Sequence, residues 1–457
     1  MPKPIAFAFV VAALLAPSVP VPLSAQAQIQ QDSTLAVFID LLSPEKAVRK
    51  AAYAWLSENG TLAHAPALLD VLYFQKNRIP NDWFRVMKHL TGRQFSMQWP
   101  RWMQWLGKQN FTPVPAYAQF KALLYRSIDP AFAVFLKPSA PSTIRRDEIV
   151  WGGVKKDGIP ALTLPALVPA EQADYLDDEN LVFGLSLNGA ARAWPMKILS
   201  WHEMVNDTVG GEAVSLTYCT LCGAAVAYKT TTGGQVFTFG SSGLLYRSNK
   251  LMYDHQTNTL WSSLAGRPVL GQLVRENITL ERLPVVTSTW GEWRKRHPQT
   301  LVLSIATGFD RPYKGDHGAY RAYFLSGRTM FPVPWQDTRL SAKNRIFGMI
   351  IDGVPKAWPL KWLRGKRLLN DRIGSRPVLL LTGPRGHSVR AYERGGVHFS
   401  EIISDSELID SEGNIWLVSE EHLQQKTGGQ SLTRLPGHIA FWFGWYAFFP
   451  ETRIWEK

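Results

Sequence analysis

The sequence predicts an α+β protein: two copies of a mainly antiparallel β unit with short helices, preceded by an all-α helical domain. Three observations support this fold class. Residues 182–228 align without a gap with residues 346–392, and 15 of these 47 pairs are identical, which indicates one fold used twice. Before the repeat, apolar residues recur at helical spacing. Within it, short strand-forming runs are separated by tight-turn signals.

The first residues of the chain have the build of a signal peptide, predicted over residues 1–27. Lys3 gives a weak positive region, residues 5–16 are apolar, and Ala25-Gln26-Ala27 is a cleavage site of small residues. The apolar stretch is shorter than the roughly 20 residues that a membrane span needs. We therefore expect a secreted or periplasmic protein with no transmembrane segment in the mature chain.

The composition and charge of the chain indicate which classes of partner to expect. The chain has a net charge of +13, 46% apolar residues and 18 tryptophans, so packed cores are expected. Its basic residues are scattered, with short clusters only at Arg294-Lys295-Arg296 and in residues 361–367. Because an exported protein rarely meets nucleic acid, we expect no nucleic-acid partner and attribute the charge to a solvated surface.

Residues 30–138 are predicted to form the helical domain. Apolar residues recur at helical spacing in 35–42 and 47–55, and Ser43-Pro44 supplies a cap and a first-turn proline before the second helix. Further helices are predicted at 65–73 and 82–90. Short paired helices resemble a HEAT-like array, whose expected task is packing or docking of a protein partner rather than chemistry.

The first copy is predicted over residues 143–310 and the second over 340–457, with a bridging segment between them. Asn188-Gly189 in the first copy and Asp352-Gly353 in the second are two-residue turn signals. Such dipeptides supply the positive backbone angles of a hairpin turn, so a β-hairpin is expected to open each copy.

The rest of the first copy is predicted as short helices and strands. A helix is expected from about Met196 to Val205, and Asn206-Asp207, which the second copy repeats, is predicted to form a turn. A second hairpin is predicted at Met252–Trp261. A short helix at Trp290–Arg296 and a strand close the unit.

The two copies differ at the only cysteines of the protein. Cys219 and Cys222 of the first copy align with Gly383 and Gly386, and the nearby His202 is also missing from the second copy. Residues that are absent together are more apt to share a task than residues placed independently. We therefore predict one functional site in the first copy and none in the second.

A metal centre is the first interpretation of this site. Cys219, Cys222 and His202 would bind zinc or copper, because tetrahedral zinc accepts two Cys and one His, and Cu(I) prefers two or three soft ligands. With two cysteines in the chain, a closed four-cysteine centre is ruled out. Glu203, Asp254 and His255 are candidates for residues behind the ligands, or for an extra ligand.

Two other interpretations of the cysteine pair stay open. The pair could cycle between dithiol and disulfide, as in exported thiol oxidoreductases, although the motif follows a strand rather than starting a helix. It could also form a permanent disulfide, which would stabilise little because the closed loop is short. A non-catalytic module that binds a protein partner or a glycan is the alternative from another class, and whether the protein is an enzyme stays open.

Several runs of the sequence resemble the family catalogued as domain of unknown function 3179. The resemblance covers residues from about 140 to 457. It rests on the cysteine pair and on the runs 146–153, 157–162, 173–176, 201–207 and 248–254. The chain departs from the family pattern at Thr220, where proline is expected, and at His255, where arginine is expected. The resemblance implies an exported protein and brings no activity or cofactor.

Overall fold

The computed structural model describes residues 33–313 and 320–456. The predicted signal peptide, residues 1–27, lies outside the described residues. Among the residues that are described, no helix combines the length and apolar character needed to cross a bilayer.

The chain opens with the predicted helices. The apolar residues that recur at helical spacing lie in helices, as predicted. Pro66, Pro100 and Pro115 lie in the first turns of three helices, where the missing N–H of proline breaks no intrahelical hydrogen bond. The helices are α1 (33–40), α2 (Lys46–Asn59), α3 (Ala65–Phe74), α4 (Asn81–Thr91), α5 (Trp99–Leu106), α6 (Pro115–Arg126) and α7 (Phe132–Phe135).

One buried network ties the helical domain together. Tyr117 of α6 donates a hydrogen bond of 2.8 Å to Asp70 of α3, and Lys121 lies 3.3 Å from the same carboxylate. All three side chains are almost fully enclosed. A paired carboxylate and ammonium can be buried only because each compensates the other.

The first copy forms three sheets. Its strands and helices are β1 (Ile149–Trp151), β2 (Leu162–Thr163), β3 (Leu167–Pro169), β4 (Leu181–Leu187), β5 (Ala190–Pro195), α8 (Met196–His202), β6 (Met204–Val209), β7 (Glu212–Cys219), β8 (Ala224–Lys229), β9 (Thr231–Thr232), β10 (Gln235–Val236), β11 (Phe239–Tyr246), β12 (Asn249–Asp254), β13 (Leu260–Ser262), β14 (Arg267–Leu270), β15 (Glu281–Leu283), β16 (Val286–Thr289), α9 (Trp290–Arg296) and β17 (Leu301–Leu303). The strand orders are β16-β4-β5-β17-β3, β15-β8-β7-β6-β2 and β1-β11-β12-β13-β14, with a small β9-β10 ribbon.

The third of these sheets carries the helical domain. Apolar residues of β11–β14 belong to the same buried cluster as α2–α7, with Leu251 and Leu260 against the helices. The apolar face of the helices is therefore covered by the first copy.

The second copy repeats the same elements with shorter connections. They are α10 (Arg321–Leu325) in the bridging segment, then β18 (Arg345–Ile351), β19 (Val354–Pro359), α11 (Leu360–Leu363), β20 (Leu368–Ile373), β21 (Arg376–Thr382), β22 (Val389–Glu393), β23 (Phe399–Ser404), β24 (Glu407–Asp410), β25 (Ile415–Val418), β26 (His422–Gln425), β27 (Ser431–Leu435), β28 (His438–Phe441), α12 (Trp442–Tyr446) and β29 (Arg453–Ile454). One four-stranded sheet has the order β28-β18-β19-β29, as in β16-β4-β5-β17. The other two sheets merge into one of eight strands.

The copies share hydrogen bonds as well as strand order. Trp194 donates to Asp207 at 3.1 Å in the first copy, and Trp358 donates to Asp371 at 2.7 Å in the second. The hairpin turns match too, since Asn188 and Asp352 both have φ of 50°. The α+β class and the repeated hairpin are confirmed.

Two local predictions were wrong, and both errors lie at the same point of the chain. Helix α8 ends at His202 rather than near Val205, because Glu203 takes a left-handed conformation with φ of 55°. Asn206 and Asp207 form no turn but lie in β6, where Asn206 exchanges hydrogen bonds with the backbone of Phe239. Asn370 does the same with Phe399 in the second copy. Both asparagines therefore connect strands by hydrogen bonds instead of forming turns.

The two copies pack against each other reciprocally. Strand β28 of the second copy contacts β8 of the first, β16 of the first contacts β22 of the second, and β16 and β28 meet each other. Since β16 corresponds to β28 and β8 to β22, the copies are related by an approximate two-fold axis through β16 and β28. Each copy thus places its last helix beside the β7–β8 or β21–β22 turn of the other.

Candidate functional site

The two cysteines occupy the turn of a β-hairpin. Strands β7 and β8 pair antiparallel up to Cys219 opposite Ala224, and Cys222 lies in the turn between them. Gly223 closes the turn with φ of 59°, a conformation that costs glycine little. Both side chains are buried, and neither is joined in a disulfide. The hairpin therefore holds two free sulfur atoms side by side in the interior.

Hydrogen bonds make the two thiols unequal. The Cys222 thiol lies 3.1 Å from the Ser248 carbonyl oxygen, to which it donates while both thiols are neutral. Burial opposes ionisation of Cys219, but hydrogen bonds from the Cys222 thiol and from backbone N–H groups lower the pKa of the Cys219 thiol. The bond that Cys222 gives to Cys219, together with burial, raises the pKa of Cys222 well above its ordinary value. Cys219 is thus the sulfur that ionises first.

A buried lysine and glutamate lie beside the sulfur atoms. Lys250 of β12 donates to the Glu203 backbone carbonyl at 2.5 Å, and its ammonium is 3.9 Å from the Glu203 carboxylate. Thr220 donates to the same carboxylate at 2.6 Å. Burial lowers the pKa of Lys250, while Glu203 and Cys219 oppose that shift. The ammonium can compensate negative charge on either neighbour.

The site is closed from two sides. Tyr323 of α10 donates to the Leu221 carbonyl at 2.8 Å. From the second copy, Phe441 donates its backbone N–H to the Cys222 carbonyl at 2.7 Å. A Cβ added to Gly444 of α12 would lie 2.8 Å from the Cys222 sulfur. The absence of a side chain at 444 is therefore what lets the second copy approach the thiols.

His202 makes its hydrogen bonds elsewhere. Its Nδ1 lies 2.8 Å from the Pro160 carbonyl oxygen, and its Nε2 is hydrogen-bonded to the Tyr313 hydroxyl. Burial lowers the pKa of His202, with the Pro160 carbonyl opposing the shift and Arg311 adding to it. His202 is a buried imidazole, and both of its ring nitrogens have partners. To bind a metal it would have to exchange one of these partners for the ion.

The other predicted site residues lie in different places. Glu203 is beside the cysteines, but Asp254 caps its own hairpin, accepting from Trp261 at 2.9 Å. Asp410 accepts from Trp416 in the same way. His255 is exposed and stacks on Tyr253. Across residues 33–313 and 320–456, no three His, Cys, Asp or Glu side chains are grouped to hold a metal ion. A zinc or copper centre that includes His202 stays a prediction.

The equivalent turn of the second copy has different contents. A Cβ added to Gly383, the counterpart of Cys219, would lie 2.2 Å from the Ser388 hydroxyl and 2.6 Å from a Glu292 carboxylate oxygen. Glu292 belongs to α9 of the first copy and is the counterpart of Gly444. The two turns and the helices that face them therefore carry different residues. Cys222 faces Gly444 at the first turn, and Gly383 faces Glu292 at the second.

Sequence reasoning missed Lys250, although a signal for it existed. Lys250 lies four residues before Asp254, and the residue four before the matching Asp410 is Ser406. Lys250 is therefore absent from the second copy along with the cysteines. Gly444 could not be found this way, because the sequence does not show that its helix packs on the opposite copy.

The chain matches one family model. Searches of curated proteins and of solved structures found no match. A family model with the description "Protein of unknown function (DUF3179)" matches residues 156–452, which include most of both copies, the cysteine turn, Glu203 and Lys250. The chain belongs to this family.

Proposed function

We propose that the protein is exported and that Cys219 and Cys222 form a redox-active pair that cycles between dithiol and disulfide. The observation that carries this proposal is two neighbouring cysteines on one hairpin turn, while both His202 ring nitrogens are hydrogen-bonded to other groups. The unequal acidity of the two thiols supports it, because thiolate is the nucleophile in disulfide exchange.

The reaction would run in two exchanges. The Cys219 thiolate attacks one sulfur of a substrate disulfide, which forms a mixed disulfide and releases the first substrate thiolate. That thiolate takes the proton of Cys222. The Cys222 sulfur then attacks Cys219, closes the internal disulfide and releases the second substrate thiol once it is protonated. One dithiol and one disulfide give one disulfide and two thiols, and the reverse direction oxidises a substrate dithiol.

Lys250 has a defined part in this cycle. Its ammonium lies beside Cys219 and is already compensated in part by Glu203. In the thiolate state it adds a favourable charge interaction in a water-poor site, where such interactions are strong. Lys250 is a positioning residue that acts through Cys219.

A second candidate is two-coordinate Cu(I), held by the same two sulfur atoms. One observation favours it: backbone N–H groups of Lys250 and Cys222 point at Cys219. Together with Gly223 they give the turn the form of a metal-binding knuckle. Cu(I) is satisfied by two soft ligands, and the anionic bis-thiolate complex would lie beside the Lys250 ammonium.

The deciding experiment compares untagged protein from the periplasm with the Cys219→Ser/Cys222→Ser variant. Metal content is measured first, and the wild type is then equilibrated in thiol–disulfide buffers of graded potential. Metal-free protein with a reversible two-electron transition, absent in the variant, is the expected result. About one copper per chain, lost in the variant, would replace the redox proposal by the second candidate.

Two further variants locate the ligands and the charge. His202→Asn keeps hydrogen-bonding atoms but lacks the imidazole, so retained metal in this variant would exclude His202 as a ligand. Lys250→Met is expected to raise the apparent pKa for alkylation of Cys219 by about one unit, or about 1.4 kcal/mol. An inert disulfide that no buffer reduces would contradict both candidates and leave a binding module.

A further inference from the structure

A two-residue turn beside the cysteine pair has an unusual backbone. Arg247 and Ser248 join β11 to β12, where Tyr246 pairs with Asn249. Both turn residues are left-handed, with φ of 50° and 61°. Hairpin turns of this shape ordinarily use Asn-Gly, because most other side chains disfavour positive φ. A turn that keeps this costly conformation without glycine points to a function.

The side chain of Arg247 is held from two directions. Its Nε and Nη2 atoms donate to the two Glu148 carboxylate oxygens at 2.7 and 3.4 Å, and its Nη1 atom donates to the Ala447 carbonyl at 3.3 Å. Glu148 lies just before β1, and Ala447 follows α12 of the second copy. A guanidinium that binds a carboxylate through two N–H groups has a defined orientation. These contacts therefore stabilise the turn.

The turn presents a carbonyl oxygen to the two sulfur atoms. The Ser248 carbonyl oxygen lies 3.1 Å from the Cys222 sulfur and 3.9 Å from the Cys219 sulfur. Ser248 is only 1% exposed. Among the residues that the structure describes, no other group donates a hydrogen bond to this oxygen. The buried acceptor therefore depends on thiol protons.

Oxidation of the cysteines removes these protons. In the reducing direction, two glutathione thiols pass two electrons and two protons to the Cys219–Cys222 disulfide. Its S–S bond breaks, two thiols form, and glutathione disulfide is released. Only the dithiol can donate to the Ser248 oxygen, and a buried acceptor without a donor costs free energy. The carbonyl thus favours the dithiol over the disulfide.

We propose that the Arg247-Ser248 turn raises the reduction potential of the cysteine pair, by holding the Ser248 carbonyl where it accepts the thiol protons. Arg247 is a positioning residue that acts through Ser248. The inference rests on the proposed redox function and gives that function a direction, because a pair with a favoured dithiol is the stronger oxidant of substrate dithiols. The corresponding hairpin of the second copy turns at Asp405-Ser406, and neither residue has a positive φ.

The test compares the reduction potentials of the full chain and of two variants in glutathione buffers. Arg247→Val and Arg247→Asn both remove the guanidinium charge and its bonds to Glu148 and Ala447. They differ in the backbone, since valine resists positive φ and asparagine tolerates it. The dithiol–disulfide equilibrium is expected to shift about fivefold toward the disulfide in Arg247→Val, a potential lower by about 20 mV, and less than about twofold in Arg247→Asn.

A second measurement follows the thiols without any redox reaction. Cys219 and Cys222 are the only cysteines of the chain, so the infrared S–H stretching band of the reduced protein comes from them alone. The double cysteine variant supplies the baseline. Because a thiol that donates a hydrogen bond has a lower stretching frequency, the band should rise in Arg247→Val and stay in place in Arg247→Asn.

Equal shifts of the potential in the two variants would assign the effect to the lost charge and overturn the inference. An unchanged potential and S–H band in Arg247→Val would overturn it as well, while the proposed redox function would stand. A wild type with no reversible two-electron transition would defeat the redox function and the effect on potential together. Should Arg247→Val fail to fold, Arg247→Ala replaces it, with smaller shifts expected in the same directions.

Discussion

The two copies of the repeat share their architecture and differ at one end. Trp194 and Trp358, with Asp207 and Asp371, make the same hydrogen bonds. Trp293 and Trp445 also donate to matching threonines, Thr300 and Thr452. The turn after β7 or β21 and the helix that faces it carry the differences. The hydrogen bonds of these buried tryptophans are therefore the same in both copies. The turn carries different residues in each copy.

The strongest test of this comparison is Arg390→Val, which gives the second copy the residue of the first. Glu420 and Glu292 would lose a cation within 3.0 Å, and unpaired buried charge is costly. We expect a loss of about 3–5 kcal/mol in the free energy of unfolding, measured by urea denaturation.

The matched control for this change lies at the equivalent position of the first copy. Val226→Ala removes only apolar packing and is expected to cost roughly 2 kcal/mol. A loss for Arg390→Val no larger than the control would show that the charged cluster adds no stability, and the comparison of the two turns would fail.

A second test changes the shared framework in both copies. Trp194→Phe and Trp358→Phe each remove a donor to a buried aspartate. Bonds to charged groups contribute about 1.5–3 kcal/mol, so both variants should be destabilised by similar amounts in that range. Unfolding midpoints in urea, followed by circular dichroism, measure this. Clearly unequal losses would mean that the copies do not rely on the same pairs.

The smallest effect concerns pH and one buried histidine of the second copy. Burial, aided by the nearby Arg282 charge, lowers the pKa of His438 to about 3, and its first-copy counterpart is Val286. In the unfolded chain a histidine titrates near 6.5. Below that pH the unfolded state takes up a proton that the folded state does not, so stability falls by up to about 1.4 kcal/mol per pH unit until about pH 3.

His438→Val should remove this contribution. Between pH 6.5 and 5.5 the variant is expected to lose about 1 kcal/mol less stability than the wild type, measured as the difference between two urea titrations. His64, His202 and His387 also have lowered pKa values through burial. They titrate in both proteins and cancel in the difference. Identical pH slopes would show that His438 is protonated in the folded state.

Much of the fold could be predicted from the sequence, because local signals agreed with tertiary packing. Asn188-Gly189 and Asp352-Gly353 gave the hairpin turns, and helix α9 has the predicted bounds, Trp290–Arg296. The prediction of a turn at Asn206-Asp207 was wrong because asparagine and aspartate favour turns locally. Their side chains are instead used across the sheet, toward Phe239 and Trp194, and no local pattern reveals that.

The site could be predicted only in part. The absence of Cys219 and Cys222 from the second copy located the candidate turn, and the pairing of β7 with β8 places both cysteines there. His202 was grouped with them because it is lost too, but its neighbours are Pro160 and Tyr313. The joint absence of residues from one copy does not show that these residues lie close together in the other copy. The contact of Glu292 with the turn at Gly383 was not predicted, because the sequence does not show that helix α9 packs against the other copy.

The reciprocal placement of α9 and α12 has a consequence for any chain that would contain a single copy. Helix α12 covers the cysteine turn of the first copy, and α9 supplies Glu292 to the second. A polypeptide with one copy would leave its own turn uncovered, and its own terminal helix could not reach it. Two such molecules, joined about the axis through β16 and β28, would cover each other as a symmetric homodimer. Fusion of those subunits into a single chain would free the halves to diverge, one toward sulfur chemistry and the other toward charge.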